Sequence, residues 1–250
     1  MGSEMCIRDR INKMQAMKRF YKQVSTDADA AGWVIKLDSR TLRSPTGAVL
    51  TLPSSDLAMA VADEWQAQGE RIEPATMPLF SLAVTVVDRV MSQYPAIISE
   101  LVSYGGNDLL CYRADDDDLA RLQNQHWHPW VEWAGAEFNV SLRIATGIMP
   151  VTQPDAFGFA APVQKLDVWR LGVLHRAVSL GGSLILGLGF VTGRLNAEQL
   201  FTSAFLDELW QNEKWGRDFE AKDRQNHIRA ELDEAARFLA LLPAQQQAEG

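Results

Sequence analysis

A chain of 250 residues, 47% hydrophobic and 22% charged, is long enough and apolar enough to bury a real core, which excludes intrinsic disorder. Its formal net charge of −8 argues against a nucleic-acid partner, because phosphate binding needs clustered Lys and Arg. Acidity alone names no partner, since net charge speaks to solubility and not to fold.

The first stretch, Met1 to Ala16, has neither a helical nor a strand period. Residues 1–17 read as a disordered or non-native tail, with Met17 as a candidate native start. The tail has no apolar run of the secretory kind. A mitochondrial transit peptide is the weaker alternative reading, since the tail has Arg8, Arg10 and Lys13 but also Glu4 and Asp9, which such peptides avoid. Cys6 and Cys111 make no zinc spacing and read as two free thiols.

From Arg19 to Leu52 the pattern is β. Phe20 to Val24 is expected as a first strand. Trp33, Ile35 and Leu37 alternate with Val34, Lys36 and Asp38, the period of a half-buried second strand. Asp38-Ser39 and Pro45-Thr46-Gly47 supply turns, and Val49 to Leu52 closes a small meander. A serine cap in Pro53-Ser54-Ser55-Asp56 opens a helix whose Leu57, Ala60, Val61, Glu64 and Trp65 share one face. It fades near Gly69, and a domain boundary is expected close to Pro78.

Beyond that the chain reads as helical. Leu79 to Met91 is one amphipathic segment, and Pro95 sits in the first turn of another that runs through Tyr104. Asp108 to Arg113 looks extended. Asp115 to Asp118 opens a long helix to about Phe138, followed by a short extended piece at 140–145 and a loop at 146–159. Further helices are expected at roughly 162–180, 183–192, 197–214 and 217–241, punctuated by glycine. The fold class is therefore α+β: a small β-rich N-terminal α/β domain with one helix (18–78), an orthogonal helical bundle (79–242), and a disordered tail (243–250).

No constellation in this sequence carries recognisable chemistry. Gly182 to Gly187 has the spacing of a phosphate loop, but Leu188 and Gly189 stand where Lys and Ser or Thr are needed, so the glycines read as close helix packing. His126 and His128, two apart on a helix, point to different faces and do not share a metal. The run Asp115 to Asp118 lacks the spaced ligands, Gly and terminal Glu of a calcium loop and reads as a solvated helix start. The Gly-rich apolar stretch from Val178 to Val191 is too short to span a bilayer, so no membrane insertion is expected. No cofactor and no metal are expected. The tryptophans, including Trp127, Trp130 and Trp133 at three-residue spacing, read mostly as core. The acidic and aromatic stretch from Leu206 to Gly216 offers an apolar face edged by carboxylates, which suits a partner with Arg or Lys at its rim.

Several runs carry a resemblance. They are Lys18-Arg19-Phe20-Tyr21-Lys22, Gly32 through Leu42, Ser44-Pro45-Thr46-Gly47 and Leu57 through Glu70, the densest of them. Then come Met77-Pro78-Leu79, Asp108 through Arg113, Trp127-x-Pro129-x-x-x-Trp133 and Glu213-Lys214-Trp215-Gly216. In this order they resemble the F1 ATP synthase assembly chaperones that bind the α subunit, over about Lys18 to Leu242. One departure is Ser39, where those proteins usually have Gly in the turn; Ser resists φ > 0, so a different turn is expected there. The resemblance implies an α/β domain joined to a helical bundle and no catalysis. It also implies a chain, monomeric when free, that binds the α subunit of F1 and prevents its aggregation before the α/β hexamer forms. The expected contact residues are Asp207, Glu208, Glu213, Glu64 and Trp65. The expected location is the bacterial cytoplasm, or the mitochondrial matrix for a eukaryotic chain. Two competing readings are an enzyme with a polar site in the interdomain cleft and a permanent structural subunit of a complex.

Overall fold

The structure, a computed structural model, describes residues 17–147, 149, 151–154, 156–216 and 219–244. The readings of the N-terminal tail before Met17, of Cys6 and of the tail beyond Ala244 lie outside the described residues. The chain divides into two compact units, one of residues 1–93 with 237–250 and the other of residues 94–236.

The first unit holds a four-stranded antiparallel sheet of β1 (Val24–Asp29), β2 (Gly32–Leu37), β3 (Arg40–Thr41) and β4 (Thr51–Leu52). β2 is its centre. It pairs with β1 from Val24↔Leu37 to Asp29↔Gly32, and with β3 and β4 along its other edge. Val34, expected to face outward, is buried along with Ile35 and Leu37, because side chains of flanking strands crowd a central strand on both sides. The first strand begins at Val24 and not at Phe20. Residues 17–19 run instead against 70–72, with Arg19 N–H donating to Glu70 O at 2.9 Å and Ile72 N–H to Met17 O at 3.1 Å. In the turn after β2 the left-handed residue is Asp38, at φ 54°, so Ser39 escapes the strain that a glycine would have relieved. The Gln23 and Lys22 N–H groups donate to the Asp38 carboxylate at 2.9 and 3.0 Å and hold it below the usual carboxylate range.

Helix α1 (Ser55–Gln66) starts at its serine cap, where Ser54 Oγ accepts from Leu57 N at 3.1 Å. Its apolar stripe is buried, and so is Glu64. The next helix, α2 (Pro78–Thr85), has no capping side chain at its own N-cap, Met77. Glu64 supplies the missing acceptor: Oε1 takes Leu79 N–H at 2.9 Å and Oε2 takes Phe80 N–H at 2.8 Å. Trp65 is sealed edge-on between Tyr21 and Phe80 at centroid distances of 5.7 and 5.0 Å. The expected single helix from Leu79 to Met91 changes pitch, passing into a π-turn over Val86–Val90. That turn carries Asp88, which accepts from Ser44 Oγ and Thr46 Oγ1, both at 2.5 Å. These bonds tie the segment after Pro78 to the sheet, so the unit runs to Gln93 and not to the expected boundary.

The second unit is helical: α3 (Tyr94–Gly105), α4 (Asp117–Phe138), α5 (Ala160–Gln164), α6 (Val168–Gly181), α7 (Leu184–Val191), α8 (Ala197–Ala204), α9 (Leu206–Trp215) and α10 (Phe219–Ala240), whose last turn from Arg237 counts with the first unit. A 3₁₀ turn (Leu109–Cys111) leads into β5 (Tyr112–Arg113), which pairs in parallel with β6 (Ala145–Thr146). Two expected helices are each broken. Asp167 caps α6 by accepting from Trp169 and Arg170 N–H, both at 2.9 Å, and Phe205 separates α8 from α9. Helix α7 is buried on every side. A Cβ on its Gly187 would stand 2.8 Å from both Leu174 Cδ1 and Val178 Cγ2, so the glycines of this stretch serve close packing.

Replacing Glu64 by Ala leaves two buried N–H groups without their acceptor. Urea unfolding of the full chain should show a loss of about 2–4 kcal/mol. A loss under about 0.5 kcal/mol, the range of an ordinary surface change, would remove Glu64 from the account of the sheet unit.

Candidate functional site

The expected contact residues fall in two places. Glu64 and Trp65 belong to the sheet unit, where they are 9% and 2% exposed and committed to the helix cap and the aromatic core described above. Asp207, Glu208 and Glu213 all lie on α9, but successive helical residues point about 100° apart, so their surroundings differ.

Asp207 turns inward. Its Oδ1 accepts from Gln123 Nε2 at 2.8 Å, and Gln123, itself buried, spends its other end accepting Ala114 N–H at 2.7 Å. Beside them Arg113 is buried with its Nε donating to Asn124 Oδ1 at 2.8 Å, its Nη1 to Leu110 O at 2.6 Å, and its guanidinium 5.4 Å from the Trp127 ring centroid. Burial pulls the Arg113 pKa down, while the nearby Cys111 and Asp207 oppose that pull. Trp127 is buried, and its Nε1–H donates to Ser203 O at 2.8 Å. This network fixes the start of α9 against α4 and β5.

Glu208 turns outward into a cavity of about 650 Å³. Leu109, Leu180 and Phe205 give the cavity apolar walls, and Asn107, Tyr112 and Ser179 add neutral polar groups. The backbone of Gly181 and Gly182, at the end of α6, completes one side. Glu208 is the charged residue of that lining. Its Oε2 accepts from Arg224 Nη2 at 2.5 Å and Gln225 Nε2 at 3.3 Å. Glu213 is exposed farther along the helix. There Trp210 and Trp215 meet edge-on at 5.6 Å, Lys214 Nζ lies 4.0 Å from the Trp210 centroid, and Trp215 is 72% exposed. Of the tryptophans expected mostly in the core, Trp65, Trp127 and Trp169 are buried, Trp130, Trp133 and Trp210 are half-buried, and Trp215 is exposed.

Beneath the cavity lies a residue that sequence reasoning did not single out as functional, Asp108. It is fully buried between two lining residues, Asn107 and Leu109. Its Oδ1 accepts from Ser183 Oγ at 2.7 Å and Leu110 N at 3.0 Å, and its Oδ2 from Ile185 N at 3.1 Å. Ser183 in turn caps α7 by accepting from Leu186 N at 3.1 Å. Burial pushes the Asp108 pKa up to about 6 in spite of these donors. Burial, and then the neighbouring Asp108, push the Cys111 thiol up to about 12, so this free thiol is not a nucleophile. Among the described residues no three His, Cys, Asp or Glu side chains stand together as a metal site, and no helix is long and apolar enough to cross a membrane.

Comparison with known proteins places this geometry in context. A family model described as ATP12 chaperone protein matches residues 18–135. Among solved structures, Atp12 from Paracoccus denitrificans is 40% identical, the match covering 90% of this chain and 98% of that one with a TM-score of 0.86. The Atu1473 protein from Agrobacterium tumefaciens is 32% identical over 96% of this chain and 98% of its own, with a TM-score of 0.87. The mitochondrial protein atp12 of Schizosaccharomyces pombe is 25% identical, with coverage of 80% of this chain and 74% of its own.

A carboxyl whose folded pKa is raised from 3.8 to about 6 takes up a proton on folding between those values. Its contribution therefore favours the fold below about pH 4 and is lost as pH rises through about 6, a difference of about 3 kcal/mol. Measured by denaturant unfolding at pH 4 and pH 7, wild type should lose about 2.5 kcal/mol more over that interval than Asp108→Asn, which cannot titrate. Equal pH dependence in the two proteins would contradict the assignment.

Proposed function

Because the chain belongs to the ATP12 chaperone family, whose members are F1 ATP synthase assembly factors, we propose that it binds the free α subunit of F1 and keeps it from aggregating until the α/β hexamer forms. The observation that carries the proposal is the likeness to the Paracoccus Atp12, which covers 98% of that chain and not a single motif. The physical need is plain. An unassembled subunit exposes the large apolar surface meant for its neighbour, and such patches aggregate. A partner that covers the surface specifically, yet less tightly overall than the finished assembly, delays aggregation without blocking assembly.

On this reading the chain acts by binding and not by catalysis. It works where F1 is put together, the bacterial cytoplasm or, in a eukaryote, the mitochondrial matrix. Of the five expected contact residues, Glu208 is the one whose side chain faces an open cavity, and Glu213 stands exposed on the same helix. Asp207 supports the contact by holding the start of that helix, through Gln123. Glu64 and Trp65 act at a remove, by holding the sheet unit together.

Co-purification with α and β offered separately tests the proposal: capture of α and not β is expected, and failure to associate with soluble α would overturn it. Glu208→Lys should weaken α capture at least about tenfold with little change in thermal unfolding, since an exposed ion pair such as Glu208–Arg224 contributes about 0–1 kcal/mol to stability. Normal α capture by that variant would remove Glu208 from the contact surface.

A further inference from the structure

We infer that the cavity beside Glu208 receives a segment of the client subunit in which an Arg or Lys is flanked by aliphatic residues, and that Arg224 holds the place of the client's cation until it arrives. The inference rests on the reading of the F1 α subunit as client, and it adds where that client docks and what it must displace.

The charge of the cavity selects the occupant. Glu208 is the charged group among the lining residues, and the remaining walls are apolar or neutral. A second carboxylate stands at the rim: a Cβ placed on Gly147 would lie 3.3 Å from Asp115 Oδ1. Acidic groups set among low-dielectric walls focus the field more than the same groups on a convex surface, and they attract a cation. A volume of about 650 Å³ takes several side chains, and Leu109, Leu180 and Phe205 offer them apolar contact. The fitting ligand therefore has a cationic head and an aliphatic body, which excludes an anion or a purely apolar helix face.

The chain itself shows that this seat accepts a guanidinium. Arg224 Nη2 lies 2.5 Å from Glu208 Oε2, and its guanidinium carbon is 5.9 Å from the Phe205 ring centroid. Charge and aromatic face thus both contact the same head group. Arg224 holds the seat weakly: its side chain is 52% exposed and that of Glu208 39%, so water competes for both partners. It also approaches from α10, an element that contributes no residue to the cavity lining. A client Arg or Lys anchored by its aliphatic neighbours can take over the carboxylate while Arg224 turns to solvent. Arg224 is then a competitor of the client, and its removal tightens binding, whereas a residue that merely positioned Glu208 would weaken binding when removed.

Two variants test this with purified F1 α subunit as the probe. Arg224→Gln, which removes the charge and shortens the side chain while keeping its helix propensity, should bind α about 2–5-fold more tightly than wild type, the release of one exposed ion pair. Unchanged or weaker binding would overturn the inference. For the cavity itself, Ser179→Cys is made together with Cys6→Ser. Ser179 is exposed on the cavity wall, and Cys111 is buried and unreactive. Labelling the folded variant with a bulky maleimide should abolish α capture that the unlabelled variant retains, and persistence of capture after labelling would place the docking surface elsewhere. If wild type itself fails to capture α, the functional proposal falls and this inference with it. If wild type captures α and Arg224→Gln does so no better, only the inference falls.

Discussion

A carboxylate taken out of water must be met by donors, and Asp108 is the place where the helical unit meets that requirement. Ser183 Oγ and the N–H groups of Leu110 and Ile185 converge on it, so a loop after α3 is stitched to the first turn of α7 across 75 residues of chain. α7 in turn is wholly buried, with Gly187 pressed against α6. The two segments that border Asp108 and Ser183, Asn107 with Leu109 and Gly181 with Gly182, are also two walls of the Glu208 cavity. The position of those walls thus follows from an internal electrostatic demand. The sheet unit repeats the same device with Glu64, whose two oxygens meet the exposed N–H groups of α2.

These two carboxylates mark the limit of what could be read from the sequence. Elements governed by neighbours in the chain were legible. Ser54 announced α1, Asp116 capped α4 by accepting from the Asp118 and Leu119 N–H groups, and Pro95 fell in the first turn of α3. The α+β organisation follows from the same local patterns. What was not legible depends on partners distant in sequence. Phe20 and Tyr21 look like the start of a strand, yet the chain around Arg19 bonds to Glu70 across a gap that no periodicity reveals. Glu64 was placed on the correct face of α1, but its period cannot say that the face is turned inward onto the start of another helix. Likewise, the acidic helix was visible as a stretch of Asp, Glu and Trp, but not the division of labour within it. A one-residue step rotates the side chain by about 100°, and here that step sends Asp207 into a buried network and Glu208 into an open cavity.

On the proposed reading, the contrast between those two neighbours lets one short helix serve both stability and recognition. Asp207, Gln123 and Arg113 spend their hydrogen bonds inside the fold, where an unmet polar group is costly. Glu208 spends its charge at the surface, where an ion pair can be exchanged at little cost. A chaperone that must release its client benefits from contacts of the second kind, since strong contacts would compete with the final assembly. Affinity can instead come from apolar walls held in place beforehand, which lowers the ordering cost of binding.

The central claim is that covering an exposed face of α prevents its aggregation without turnover. Light scattering of α diluted from denaturant, with and without this chain, tests it most directly. The account predicts that scattering falls as the chain approaches one molecule per α and needs no nucleotide. Scattering that is the same at every ratio would contradict it.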